Sequence, residues 1–220
     1  MADRSDPSSV LAQWGNADTG PGSLNGADGV AVSDAVLRVV RELPGVTRIC
    51  DLGCGNGFTA SQLGERGYEV VGVDASQRLL DIAQAHYASP RVRFHHGLIE
   101  PELVDALAGP PFDLVISIDV IEHLYRPKTF VETAVRLLRP GGTVVVCTPY
   151  YGYLKNLAIA ALGHWDQHHG VHWDGGHIKF FSTPTLTTLL ESEFAVQAFH
   201  YHGRLPWLWK NMIAVAQRPG

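Results

Sequence analysis

The sequence predicts an α/β fold: a seven-stranded, mostly parallel sheet with helices on both faces and an insertion after the fifth strand. Three observations carry the prediction. Apolar runs alternate with stretches of helical periodicity from Val32 to Cys147. A glycine turn, Asp51-Leu52-Gly53-Cys54-Gly55-Asn56-Gly57, joins the first strand to the next helix. Asp74 closes the second strand, on the edge where parallel sheets bind ligands.

The elements follow in order. Val32, Val36, Val39, Val40 and Leu43 recur at helical spacing, and Pro44-Gly45 stops that helix. Val46 and Ile49 lead into the first strand. The helix after Gly57 ends near Gly67, and the run Tyr68–Val73 ends at Asp74. Ser76 suits the N-cap of a helix over Gln77–Tyr87, with Leu79, Leu80 and Ala83 turned inward. Val92–His96 alternates as a third strand. Pro101–Leu107 reads as a short helix and Asp113–Asp119 as a fourth strand. Thr129–Leu138 reads as a helix ended by Pro140-Gly141-Gly142, and Thr143–Cys147 as a fifth strand. Ser182 or Thr183 caps a last helix with Pro184 in its first turn. Phe194–Tyr201 and Met212–Ala216 read as a closing hairpin. Right-handed crossovers then gather the parallel strand ends on one edge.

Residues 1–30 are polar and rich in Gly, Asp and Asn, and read as a flexible arm. Trp14 in that arm is either a lid over a ligand or an anchor. Residues 31–220 read as one domain carrying a lid insertion at about 150–181. Hydrophobic residues make up 45% and charged residues 18%, as in a globular α/β protein. A net charge of −5 argues against a protein built to grip nucleic acid. The opening Met-Ala-Asp-Arg-Ser-Asp-Pro has no apolar core of a signal peptide, and no stretch is apolar enough to cross a bilayer. Cys50, Cys54 and Cys147 read as buried thiols. Together these imply a reducing, cytoplasmic setting without disulfides. Oligomeric state is left open.

The glycine turn departs from the dinucleotide fingerprint, which would require glycine where Phe58 stands. Asp51 before the turn would repel a pyrophosphate, but it suits a ligand with an ammonium group. Asp74, twenty-one residues after Gly53, can accept both hydroxyls of a ribose. In these residues the chain resembles the class I S-adenosylmethionine (SAM) methyltransferases, whose fold is Rossmann-like with an antiparallel last strand. The resemblance implies SAM as cofactor. It assigns Asp51, Gly53, Cys54, Gly55 and Gly57 to the methionine end and Asp74 to the ribose. Ala75, Leu98, Ile99 and Asp119 complete the cofactor set. Leu98 stands where many such enzymes carry an acid for the adenine amine, leaving that contact to backbone at Leu98 and Ile99 or to Glu100.

The fourth strand runs into Asp119-Val120-Ile121-Glu122-His123-Leu124. His123 has the pKa range to take a proton from an acceptor hydroxyl, with Glu122 beside it; the plainer reading is that the two cap a turn. With Leu137-Leu138-Arg139-Pro140-Gly141-Gly142, this stretch resembles the ubiquinone-biosynthesis O-methyltransferases over residues 45–150. A small-molecule hydroxyl is the implied acceptor: a phenol or catechol of quinone type, or a sugar or natural-product hydroxyl. Gly175-Gly176-His177-Ile178-Lys179-Phe180 resembles a segment of that family carrying a histidine. The small-RNA 2′-O-methyltransferases hold one divalent metal with a similar set, which maps here onto Asp119, Glu122, His123 and His177. Two carboxylates and two imidazoles suit Zn²⁺, Mn²⁺, Fe²⁺ or Co²⁺ better than Ca²⁺, and Mg²⁺ also stands as a candidate. Asp119 departs from those families' usual Glu. The rival is a metal-free His123 base.

The insertion also holds His164, His168, His169 and His172, expected to be solvated or bonded to backbone. Its Leu154–Trp165 is an apolar helix, either a buried lid or an interfacial helix touching a membrane, with Lys155 as its one basic residue before His164. Little Lys or Arg in the insertion disfavours a nucleic-acid substrate. The missing Asn-Pro-Pro-aromatic motif disfavours amino methylation by resemblance. Two rivals keep the fold: SAM-dependent chemistry without methyl transfer, as in a cyclase or decarboxylase, and a non-catalytic binding role.

Overall fold

The computed structural model describes residues 27–169, 176–203 and 205–220. Residues 1–26 of the arm, with Trp14, and His172 in the insertion lie outside the described residues; residues 27–30, expected in the arm, open a helix instead. Helix α1 spans Ala27–Glu42 and packs Val32, Val36, Val39 and Val40 inward, as their spacing requires. Strand β1 (Arg48–Leu52) feeds the glycine turn and helix α2 (Phe58–Glu65). Strand β2 (Glu69–Asp74), helix α3 (Gln77–Tyr87) and strand β3 (Val92–His96) follow. Ser76 caps α3: its Oγ accepts from the Leu79 amide at 3.4 Å.

Helix α4 is only Leu103–Ala106, and strand β4 is Phe112–Ile118. A 3-10 turn, Ile121–His123, leads to α5 (Pro127–Leu137). This helix starts earlier than its apolar spacing suggests because Pro127 fits a first helical position. Strand β5 (Leu138–Pro149) begins directly after it. Leu138 pairs with Phe112, and a register shift between Phe112 and Leu114 absorbs Pro140-Gly141-Gly142. The predicted fifth strand is thus the inner part of a longer one.

The predicted helix over Leu154–Trp165 is two helices, α6 (Tyr153–Ala161) and α7 (Trp165–His169), with Gly163 at a positive φ between them. It is not a buried lid helix. Leu154, Leu157, Leu162 and Trp165 are exposed, and Lys155 is the buried residue. Helix α8 (Thr183–Leu190) is followed by β6 (Ala195–His202) and β7 (Asn211–Gln217).

The sheet order is β3-β2-β1-β4-β5-β7-β6. Strand β7 runs antiparallel to both β5 and β6, and the other neighbours pair parallel. Alternate side chains fill two cores. Cys50, Leu52, Val144 and Val146 face Phe130, Leu137, Leu186 and Leu190. Ile49, Leu114, Val145 and Cys147 face α1 and α2. The ends of β1, β2 and β4 meet on one edge, and order β1 next to β4 makes that the point where the strand sequence reverses.

Gly53 shows how tightly the edge is built. Its φ is +79°, and a β-carbon there would stand 2.3 Å from Val120 Cγ2. Gly53→Ala should therefore lower the urea midpoint of unfolding, with a conformational penalty of about 1–2 kcal/mol before the overlap is counted. An unchanged midpoint would show that the turn has another conformation.

Candidate functional site

The glycine turn hangs on β2. The amides of Gly53 and Cys54 both donate to the Val73 carbonyl, at 2.8 and 3.0 Å. Asp74 braces the same turn: Oδ2 accepts from the Gly55 amide at 2.9 Å and Oδ1 from the Ser76 amide at 2.8 Å. Each oxygen keeps lone-pair capacity for a ligand. Asn56 is buried, and its Oδ1 accepts from the Phe58 amide at 3.3 Å, a turn bond beside Gly57, the N-cap of α2. Sequence reasoning gave it no role, although Asn in a tight turn commonly bonds the backbone two residues on.

Asp51 is 2% exposed, and its Oδ2 has no hydrogen-bond partner among the described residues. Burial, and then the neighbouring Asp74, push its carboxyl up to about 7. An orphaned acid behind a glycine turn fits a ligand that brings a positive charge. The Ala75 carbonyl lies 3.0 Å from His96 Nε2. Leu98 is exposed beyond β3, Ile99 packs against the core, and Glu100 points to solvent.

Across the edge, the turn after β4 builds a second cluster. Glu122 is fully buried. Its Oε2 accepts from Thr148 Oγ1 at 2.9 Å. Its main-chain carbonyl accepts from the amides of Ile178 and Lys179 at 3.0 and 2.9 Å, which brings His177 alongside. His177 Nε2 lies 3.9 Å from Glu122 Oε1. His123 meets His177 edge-on at 5.0 Å between ring centres, and its Nδ1 is 3.3 Å from the Gly176 carbonyl. Ligand atoms of Glu122, His123 and His177 all lie within 4.8 Å of one another.

Asp119 does not join them. It takes a positive φ of 52° at the end of β4, and its Oδ1 accepts from Asn211 Nδ2 at 2.8 Å. The expected four-ligand set is therefore three residues here, the short Asp119 side chain being held by Asn211 of β7.

The three that remain fit a divalent cation. Among the described residues, Glu122 Oε1 is buried without a hydrogen bond. Burial, and then nearby Asp119, push this carboxyl up to about 8. His177 is driven down to about 4 by burial and then by His123, His168, His169 and Lys155, so its ring is neutral. One carboxylate oxygen and two imidazoles suit the borderline ions Zn²⁺, Mn²⁺, Fe²⁺ and Co²⁺. Tyr151 Oη, 2.8 Å from His177 Nδ1, holds the ring with Nε2 toward Glu122.

Tyr151 also starts an aromatic wall. Its ring stacks on His169 at 5.9 Å and meets Phe180 edge-on at 4.9 Å. His169 in turn contacts Trp165 at 4.2 Å. His169 is thus packed in the wall, where a solvated ring was expected. Lys155 Nζ donates to the Tyr150 carbonyl at 2.9 Å and sits 5.5 Å from the centre of the Tyr151 ring.

The Glu122 shift has a definite sign. Its carboxyl titrates near 4.5 when unfolded and near 8 when folded. Between those values the folded state keeps a proton that the unfolded chain releases, so stability falls as pH rises. In chelator, the urea midpoint should fall between about pH 5 and about pH 8, and Glu122→Gln should flatten that fall. Parallel slopes for the two proteins would assign the proton elsewhere.

A family model described as a methyltransferase domain matches residues 27–193. A ubiquinone biosynthesis O-methyltransferase of Mesorhizobium japonicum is 35% identical over 127 residues, 57% of this chain and 49% of that protein. The protein of the same name from Caulobacter sp. strain K31 is 34% identical over 116 residues, 53% of this chain and 46% of its own. The chain spans about half the length of these curated relatives. Among solved structures, the N-methyltransferase NodS of Bradyrhizobium japonicum WM9, in complex with S-adenosyl-L-homocysteine, superposes with a TM-score of 0.69. The identity is 15%, over 98% of this chain and 100% of that one. A SAM-dependent methyltransferase from Mesorhizobium loti gives a TM-score of 0.64 at 22% identity, covering 88% and 100%. These two likenesses concern the fold. The family match spans well over half of the sequence, and the chain belongs to the methyltransferase domain family, with the Rossmann-like fold of the class I SAM-dependent enzymes.

Proposed function

We propose that the chain transfers the methyl group of SAM to a hydroxyl of a small molecule, with a phenol or catechol of quinone-precursor type as the leading acceptor. A sugar or natural-product hydroxyl comes next. The observation that carries this reading is the buried Glu122 Oε1 between two imidazoles, on the strand edge that also carries the glycine turn. The family match supports SAM, and the name shared by the curated relatives supports oxygen as the acceptor atom.

When bound, SAM supplies an electrophilic methyl carbon on a sulfonium. The chain's own residues position it and handle the proton. Asp51 receives the ammonium group behind the glycine turn. Asp74 accepts the ribose hydroxyls through its remaining lone pairs. Displacement at the methyl carbon is in-line, so the acceptor oxygen must lie near attack distance and lose its proton. Without a metal, His123 takes that proton. A divalent cation held by Glu122, His123 and His177 would instead lower the hydroxyl's pKa, and it would favour a vicinal diol or catechol. The Tyr151, His169 and Phe180 rings offer a face for a planar acceptor. The exposed Leu154, Leu157, Leu162 and Trp165 support contact of α6 and α7 with a lipophilic acceptor or a membrane surface.

Two experiments test the reading. Calorimetric affinity for S-adenosylhomocysteine should fall as pH is lowered through about 7, because Asp51 must be ionised to receive the ammonium. Asp51→Asn should weaken binding and flatten that dependence; a wild-type affinity indifferent to pH would contradict the assignment. Incubation with SAM and a catechol should give the mono-methyl ether with one equivalent of S-adenosylhomocysteine. His123→Ala should lower that rate by about 10²-fold or more. Acceptor turnover without stoichiometric S-adenosylhomocysteine would favour a SAM-dependent cyclase or decarboxylase.

A further inference from the structure

We propose that Asn211 aims the Asp119 carboxylate at the sulfonium of SAM, so that the chain distinguishes the charged methyl donor from its neutral product, S-adenosylhomocysteine. The proposal rests on SAM as the cofactor. It depends neither on the acceptor nor on a metal.

The strand order says where the sulfur must lie. Asp51, near the end of β1, suits the ammonium group, and Asp74, at the end of β2, suits the ribose. The sulfur joins those two arms of the ligand. The cluster of Glu122, His123 and His177 follows β4, on the other side of β1 from β2. The end of β4 therefore lies between the sulfur and the acceptor. Asp119 is the first residue beyond that end. The next residue, Val120, packs against Gly53 of the cofactor turn.

Asp119 is set up to meet a ligand. It is exposed on this edge. Its φ of 52° is a strained backbone for a residue with a β-carbon, of the kind that gathers at functional sites. Desolvation raises its carboxyl to about 6, against Lys210 and the Asn211 bond, which lower it. A carboxyl that solvent reaches and protein atoms also crowd lies in a concavity, and it is ionised at pH 8.

Asn211 fixes its direction. This first residue of β7 is 2% exposed and donates from Nδ2 to Asp119 Oδ1 at 2.8 Å. The Asp119 amide donates to the Cys147 carbonyl at 2.9 Å. Backbone and one carboxylate oxygen are both tied, and Oδ2 is left for a ligand. Asn211 Oδ1 is buried without a hydrogen bond among the described residues, with the weakly polar Cys147 thiol beside it. The fold gains nothing from that orphaned oxygen, so the amide serves Asp119. Asn211 acts through Asp119 and is a positioning residue. When the S–CH₃ bond breaks, its electron pair stays on sulfur and the positive charge is lost. A carboxylate facing the sulfur therefore attracts the donor and not the product.

The test is calorimetric titration of the full chain with SAM and with S-adenosylhomocysteine, at pH 8 in chelator. The quantity read is the ratio of the two dissociation constants. Asp119→Asn keeps the shape and removes the charge. It should weaken SAM by about tenfold and leave S-adenosylhomocysteine within about twofold. Asn211→Leu should move the ratio the same way by about threefold or more. A structural role alone would weaken both ligands together. If Asn211→Leu fails to fold, Asn211→Ser takes its place. An unchanged ratio in Asp119→Asn, or in the Asn211 variant, would overturn the pair. A wild type that binds neither ligand would instead overturn the SAM reading, and the proposal with it.

Discussion

Glu122 ties three parts of the chain together, and the candidate site depends on that joint. Its side chain is fully buried and accepts from Thr148 of β5, while its main-chain carbonyl holds the amides of Ile178 and Lys179. The turn after β4, the end of β5 and residues 176–180 are thus fixed against one another. A carboxylate removed from water with one oxygen unpaired is costly, and a proton or a cation must offset it. The two imidazoles beside that oxygen give the cation reading its geometry.

The sheet brings this joint to the cofactor turn. Val120, two residues before Glu122, packs against Gly53, where a β-carbon has no room. The left-handed glycine and the buried acid thus share one edge, and a change at either should be felt at the other. On the outer side, α6 and α7 carry exposed apolar side chains, and Tyr151 below them holds His177 while stacking on His169. Lys155 is drawn inward to the Tyr150 carbonyl, which leaves those helices an apolar surface.

Much of this was legible in the sequence because the signals are local. Ser76 announces α3, the glycines announce the turn, and alternating apolar runs announce the strands. What was not legible depends on distant partners. Asn211 reaches Asp119 across 92 residues and removes it from the expected metal set. The early start of β5 needs Phe112 on the neighbouring strand and the register shift beside it. The break near Gly163 divides a segment whose apolar composition reads as continuous.

The most direct test of the account is metal content by plasma mass spectrometry, after reconstitution with Mn²⁺, Co²⁺ or Zn²⁺ and removal of excess ion. The wild type should retain about one equivalent, Glu122→Gln and His177→Ala should lose it, and Asp119→Ala should keep it. A wild type that retains no ion, or a Glu122→Gln variant that retains as much, would contradict a cation site at Glu122.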